Sequence, residues 1–143
     1  DQELKRLTGV RPSQKQRAEN VVSLDVSDLP ASINWLEKGA VTPVQNQLTC
    51  GSCWAFAAIA SMEGAHFLKT GKLVKLSEQQ CLDCVEDDNC AGGAQADCFE
   101  YAEDMAIETE AEYPYKNFKN SCWDKQGTVE VASVSNVTKQ SAA

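Results

Sequence analysis

A chain of 143 residues, 43% hydrophobic and 24% charged, has the balance of a folded domain and room for one real core but not comfortably two. A net charge of −8 argues against a nucleic-acid backbone as partner, and no apolar run approaches the length of a membrane span. No signal peptide opens the chain, and "DQELKRLTGV" reads as the interior of a longer sequence, so upstream targeting information is expected to be missing.

In chain order, residues 1–28 are polar and charged around the patch "VVSLDV" and read as an extended lead-in. "LPASINW" sets a turn before Trp35, and the Pro-broken "GAVTPVQNQ" predicts a loop with a short strand pair. At Cys53 the pattern changes. "CWAFAAIASMEGAHFLKTGK" predicts a strong helix, nearly apolar around its first half, which should therefore be buried. Ser52 stands where an N-cap belongs and Gly71 where a helix stops. "LSEQQCLDC" predicts a second helix, with Ser77 and Gln80 at capping-box spacing. "CAGGAQADCFEYAEDM" carries a Gly-Gly turn and a third helix, and "YPY" marks a loop. "GTVEVASVSNVT" alternates as a strand would.

Seven cysteines suggest an oxidising compartment. Seven is odd, so full pairing leaves one thiol over, and Cys53 is a candidate. The sequon "NVT" at Asn136, a glycosylation candidate, agrees with a secretory route.

The pair in "CGSCWAF", Cys50 and Cys53, admits three readings. A zinc site wants a second compact ligand pair. Cys81 and Cys84 have the spacing, but the residues between are wrong for a zinc knuckle, and Cys53 opens a buried helix. A redox pair needs a buried strand before it, and polar "VQNQLT" stands there instead. The third reading is a disulfide beside a nucleophilic thiol. A cysteine in the first turn of a helix meets the positive end of the helix dipole, which favours the thiolate. Gly51 permits close approach of a substrate backbone. Gln47, six residues upstream, can present its side-chain amide beside the thiol and, with the Cys53 N–H, hold an oxyanion.

"CGSCWAF" resembles the active-site signature of the papain and cathepsin family of cysteine peptidases. "GAVTPVQNQ", "LSEQQCLDC", "CAGG" and "YPY" follow in the family's order and spacing, so the resemblance covers residues 29 to about 135. It is nearest to cathepsin L-like and plant papain-like members. The resemblance implies an α+β papain-like fold, of which these residues are the mainly helical left lobe, stapled by disulfides, with the β-rich second lobe missing. It implies Cys53 as nucleophile and Gln47 as oxyanion donor. Gly51, Gly92 and Gly93 would meet an extended peptide substrate, and Ala94 and Gln95 would line part of the specificity pocket. It pairs Cys50 with Cys90 and Cys84 with Cys122. Each pair would close a loop of about 40 residues, worth up to about 4 kcal/mol in the loop-entropy model. One residue departs from the pattern: Leu48 stands where the family has glycine after the oxyanion glutamine, which bears on local geometry and substrate access.

Cys81 and Cys98 fall at no family disulfide position. They read either as two buried thiols packing as small hydrophobes or as a third bridge tying the second helix to the third. Counting favours the bridge, since three pairs and one nucleophile account for seven.

The family's thiolate is held by an imidazole that an asparagine orients. The single histidine here, His66, lies 13 residues beyond Cys53 in the same predicted helix. A rise of 1.5 Å per residue puts it about 20 Å away, outside the hydrogen-bond reach a base needs. The expected organisation is therefore the end of a propeptide over residues 1–28 and the left lobe, with the start of the second, over 29–143. The expected function is a cysteine endopeptidase (thiol protease), made as a zymogen, that is inactive until a second lobe, on this or a second chain, brings His and Asn. Peptide or protein is the expected substrate. No metal, organic cofactor, nucleic acid or membrane is expected to take part. The expected location is the secretory pathway, lysosomal, vacuolar or extracellular. The competing readings are a non-catalytic structural or binding subunit and an inhibitory module built on the prosegment.

Overall fold

Among the described residues three helices form around one apolar cluster. The computed structural model describes residues 9–11, 25, 27–123, 127 and 129, with the backbone of 21–22 and 136–137. Helix α1 spans Cys53–Thr70, α2 Glu78–Cys84 and α3 Gln95–Asp104. The strands β1 (Val21–Val22) and β2 (Asn136–Val137) pair in parallel as a two-stranded sheet.

Helix α1 supplies the centre of the core. Trp54, Ala55, Ala58, Ile59 and Met62 are buried against Leu76, Leu82, Cys81, Cys98, Ala102 and Ile107. Burying a side chain the size of Ile59 or Leu82 contributes about 1.5–3 kcal/mol. The expectation that the first half of this helix is buried all round holds only for one side, because Ala57 and Ala60 are exposed. Methyl side chains lose little by exposure, so an alanine-rich face reads the same from sequence whether covered or not. The core is closed from the tail by Val129, whose N–H and C=O bond the C=O and N–H of Ile107.

Helix ends follow local chemistry. Gly71 adopts the left-handed conformation (φ 72°) and its N–H bonds the Phe67 carbonyl, the stop the sequence indicates. The Ser77 hydroxyl accepts the Gln80 N–H at 3.0 Å. The other half of the capping box does not form. The Gln80 side chain instead donates to Tyr101 and the Ala106 carbonyl and accepts the Glu108 N–H, tying α2 to the chain beyond α3. Ser52 occupies the N-cap position of α1 without a side-chain cap; its hydroxyl is 2.7 Å from that of Tyr115. The strand pair expected in "GAVTPVQNQ" is absent among the described residues, where 40–48 run as loop. Pro43 removes a donor there, and the segment is held by side chains instead. Thr42 donates to the buried Glu63 carboxylate at 2.6 Å. The same carboxylate accepts the Leu76 N–H and pairs with Lys75, which also pairs with Glu78.

Three disulfides staple the lobe. Cys50 joins Cys90 and Cys84 joins Cys122. Cys81 joins Cys98 with Cα atoms 5.5 Å apart, so α2 and α3 are cross-linked at fully buried positions. Most of the alternating tail lies outside the described residues, as do most of residues 1–28 and the side chain of Asn136.

Candidate active site

Cys53 is the first residue of α1, half-exposed, and the one free thiol among the described residues. Its approach is fixed on both sides. The Cys50–Cys90 bridge and a bond from Gly51 N–H to the Cys90 carbonyl (2.8 Å) clamp the preceding turn to the Gly-Gly segment. Trp54, fully buried, roots the first turn of the helix and points its indole N–H toward the Asn89 carbonyl.

Two and three residues beyond Cys90 lie Gly92 and Gly93, both buried. Gly92 has φ 128°, a conformation that favours glycine. A Cβ on Gly93 would meet the Trp54 ring at 2.6 Å and collide with the Asp88 carboxylate. The strip is occupied by the chain's own residues 9–11. Gly93 N–H bonds the Gly9 carbonyl and Arg11 N–H bonds the Gly93 carbonyl, each at 2.7 Å, with Val10 in parallel register. Gly9 passes so close to the Gly51 carbonyl that no side chain fits between them.

Ala94, buried, is the N-cap residue of α3, and Gln95, half-buried, is its first residue; both continue directly from the strip. Ala94 N–H bonds the Asp88 carboxylate at 2.9 Å. Burial raises the Asp88 carboxyl above its ordinary 3.8, helped by Asp97 and opposed by the Ala94 amide, Arg11 and Lys119. Beyond the strip, a cleft of about 680 Å³ is lined by Arg11, Glu86, Asp87, Asp88, Asp97 and Asp104, among others. Among the described residues no group of three or more His, Cys, Asp or Glu side chains is arranged to hold a metal ion.

Gln47 sits half-buried in the loop before Cys50. Leu48 adopts φ 55°, so this chain keeps at a leucine the left-handed geometry that glycine takes without strain. The sequence did not point to the residues that hold this loop. Tyr115 donates to the Gln47 carbonyl at 2.9 Å, and the Asn117 side-chain oxygen accepts the Thr49 and Cys50 N–H groups at 3.0 Å each. "YPY" gave only a loop, because contacts 68 residues apart leave no local pattern. His66 lies in α1 well past the thiol and is not brought to it.

A backbone strip near a lone thiol at a helix start is the arrangement to set beside known proteins. The sequence model for the papain family cysteine protease matches residues 29–143. The chain belongs to the papain family of cysteine proteases. It is 50% identical over 101 residues to mexicain of Jacaratia mexicana, covering 68% of this chain and 47% of that protein. It is 48% identical over 103 residues to cysteine proteinase EP-B 1 of Hordeum vulgare, covering 70% of this chain and 28% of that protein. The structure of a recombinant stem bromelain precursor superposes with a TM-score of 0.74 at 43% identity, covering 80% of this chain and 40% of that one. The fold is thus papain-like, mostly helical in the part described. The chain spans between about a quarter and half the length of these curated relatives.

Proposed function

We propose that this chain is the thiol-bearing lobe of a papain-type cysteine endopeptidase. The observation that carries the reading is the free Cys53 thiol at the head of α1, next to a turn that the Cys50–Cys90 bridge ties to a glycine strip already paired with residues 9–11. In the proposed reaction the thiolate attacks a peptide carbonyl, forming the S–C bond. Gln47 and the Cys53 N–H hold the resulting oxyanion. An imidazolium protonates the amine as the C–N bond breaks, and water then hydrolyses the thioester. Gly51, Gly92 and Gly93 would receive the substrate backbone, with Ala94 and Gln95 beside its side chains. The chemistry needs no metal or organic cofactor.

His66 stands in the same helix as the thiol, about 20 Å along it, so in this reading the imidazole, with the asparagine that orients it, is supplied by a second lobe. Exposed apolar side chains between residues 29 and 48 support a covering lobe: Leu29, Ile33, Trp35, Leu36, Val41, Val44 and Leu48. Residues 1–28 act in this reading as the end of an inhibitory prosegment, supported by the bonds of residues 9 and 11 to Gly93. Three disulfides support passage through the secretory pathway.

The test is peptide turnover, after removal of residues 1–28, by the chain alone and with a lobe bearing His and Asn. The chain alone should label with iodoacetamide at Cys53 and cleave no fluorogenic peptide; the complemented chain should cleave it, and Cys53→Ser should abolish cleavage. Turnover by the chain alone that needs Cys53 would place a base within these residues. Failure of the complemented chain would favour a non-catalytic binding subunit.

A further inference from the structure

Gln47 lies six residues before Cys53, on the far side of an exposed leucine at positive φ and outside the turn that the Cys50–Cys90 bridge clamps. A hydroxyl relay joins them. Tyr115 donates its only phenolic proton to the Gln47 carbonyl, so in its 2.7 Å bond with Ser52 the serine is the donor. Ser52 is fully buried and immediately precedes the nucleophile. The relay therefore runs from the head of α1 through Tyr115 to the oxyanion residue. Tyr115 is itself fixed by an edge-on contact with Phe56 on α1, ring centroids 5.0 Å apart. Burial raises its hydroxyl above the ordinary 10.0, against the lowering bond to Ser52, so it keeps its proton at neutral pH. Asn117 completes the clamp. One side-chain oxygen takes the N–H groups of Thr49 and Cys50 while its amide donates to the Thr49 hydroxyl at 2.9 Å, and Asn117 itself adopts φ 65° to do so.

We propose that Tyr115 and Asn117 are positioning residues for the oxyanion pocket, holding the 47–50 loop against the head of α1 so that Gln47 and the Cys53 N–H face one point. The proposal rests on the oxyanion role given to Gln47 above.

The chain as it stands can test this, because the thiolate reacts slowly without an imidazole. Two probes separate the roles. Acylation by p-nitrophenyl acetate forms an S–C bond through a tetrahedral oxyanion and expels nitrophenolate; alkylation by iodoacetamide displaces iodide and forms no oxyanion. Rates are taken at pH 8 with the Cys53→Ser background subtracted. Gln47→Ala, Tyr115→Phe and Asn117→Ala should each lower acylation about tenfold or more, a modest share of what an oxyanion donor contributes in a complete enzyme, and leave alkylation within about twofold. Asn117→Asp, which keeps the acceptor oxygen, should restore most of the acylation rate. Hydrogen exchange at the Thr49 and Cys50 amides should quicken in Asn117→Ala and not in Asn117→Asp.

If Gln47→Ala lowers acylation while Tyr115→Phe and Asn117→Ala do not, the positioning role is overturned and the oxyanion reading stands. If both rates fall together, the two residues are merely structural and the proposal fails. If Gln47→Ala changes neither rate, the oxyanion reading falls and takes the proposal with it.

Discussion

Leu48 offers a stability test whose sign is unusual. Its φ of 55° is left-handed, its side chain is 56% exposed, and its N–H bonds the Asn46 side chain at 2.8 Å. A residue with a Cβ pays about 1–2 kcal/mol to sit there, whereas glycine does not. Leu48→Ala and Leu48→Gly delete nearly the same exposed side chain, so their difference isolates the backbone. At an ordinary position glycine is the worse of the two by about 0.5–1 kcal/mol, because the unfolded chain gains freedom. Subtracting that from the left-handed cost leaves Leu48→Gly more stable than Leu48→Ala by up to about 1.5 kcal/mol, with a central value of about 0.75 kcal/mol. Urea unfolding followed by tryptophan fluorescence, with disulfides intact, measures the difference. Ala57→Gly on the exposed side of α1 is the control, and should lose about 1 kcal/mol. If Leu48→Ala proves as stable as Leu48→Gly or more so, the loop carries no left-handed cost at this position and the reasoning fails.

The Cys81–Cys98 bridge closes a sequence separation of 17, so Cys81→Ala with Cys98→Ala should lower stability by about 3 kcal/mol; a loss under about 1 kcal/mol would mean the bridge adds little beyond two packed side chains. Glu78 is buried, which raises its carboxyl above the ordinary 4.5 against the pull of Lys75. The folded chain thus holds that proton more tightly than the unfolded one, and the stability this gives is complete below 4.5 and lost as pH rises through the raised value. The stability of the parent relative to Glu78→Gln should therefore fall with rising pH across that window; a flat or rising difference in pH-dependent urea titrations would refute it. Gly93→Ala should cost about 1–3 kcal/mol by overpacking against Trp54 and Asp88, read in the same urea assay, and an unchanged midpoint would show that the strip has room.

The sequence makes some features legible because their cause is local. The start and stop of α1, the Ser77–Gln80 bond and the Gly-Gly turn each depend on residues within a few positions. The helical lobe and its family follow from motifs in order. The Cys81–Cys98 bridge was open between two readings, since spacing constrains neither distance nor direction. The half-formed capping box at Gln80 and the uncapped Ser52 were misread for one shared reason: a polar side chain can serve its neighbours or a distant partner, and burial decides which. Gln80 goes to Glu108 and Tyr101, and Ser52 goes to Tyr115. Tyr115 and Asn117 were not legible at all, because their bonds to Gln47, Thr49 and Cys50 cross almost half the chain.

These distant bonds explain how the lobe tolerates strain beside its thiol. Leu48 and Asn117 both stand at positive φ without being glycine, and such conformations persist only where surroundings over-determine them. Here the constraints arrive from separate directions: the Cys50–Cys90 bridge from the Gly-Gly side, Asn46 from within the loop, and Tyr115 and Asn117 from the segment beyond α3. The far side of α1 is held independently, through Glu63 to Thr42, Lys75 and the Leu76 amide. A local change at Leu48 is therefore opposed by anchors that do not pass through it, and a slide of the helix would break the bonds of Glu63 as well. Rigidity at Cys53 is thus a property of the whole lobe, which is why a thiol at a helix start stays placed while its flanking loop carries an exposed leucine in a conformation that suits glycine.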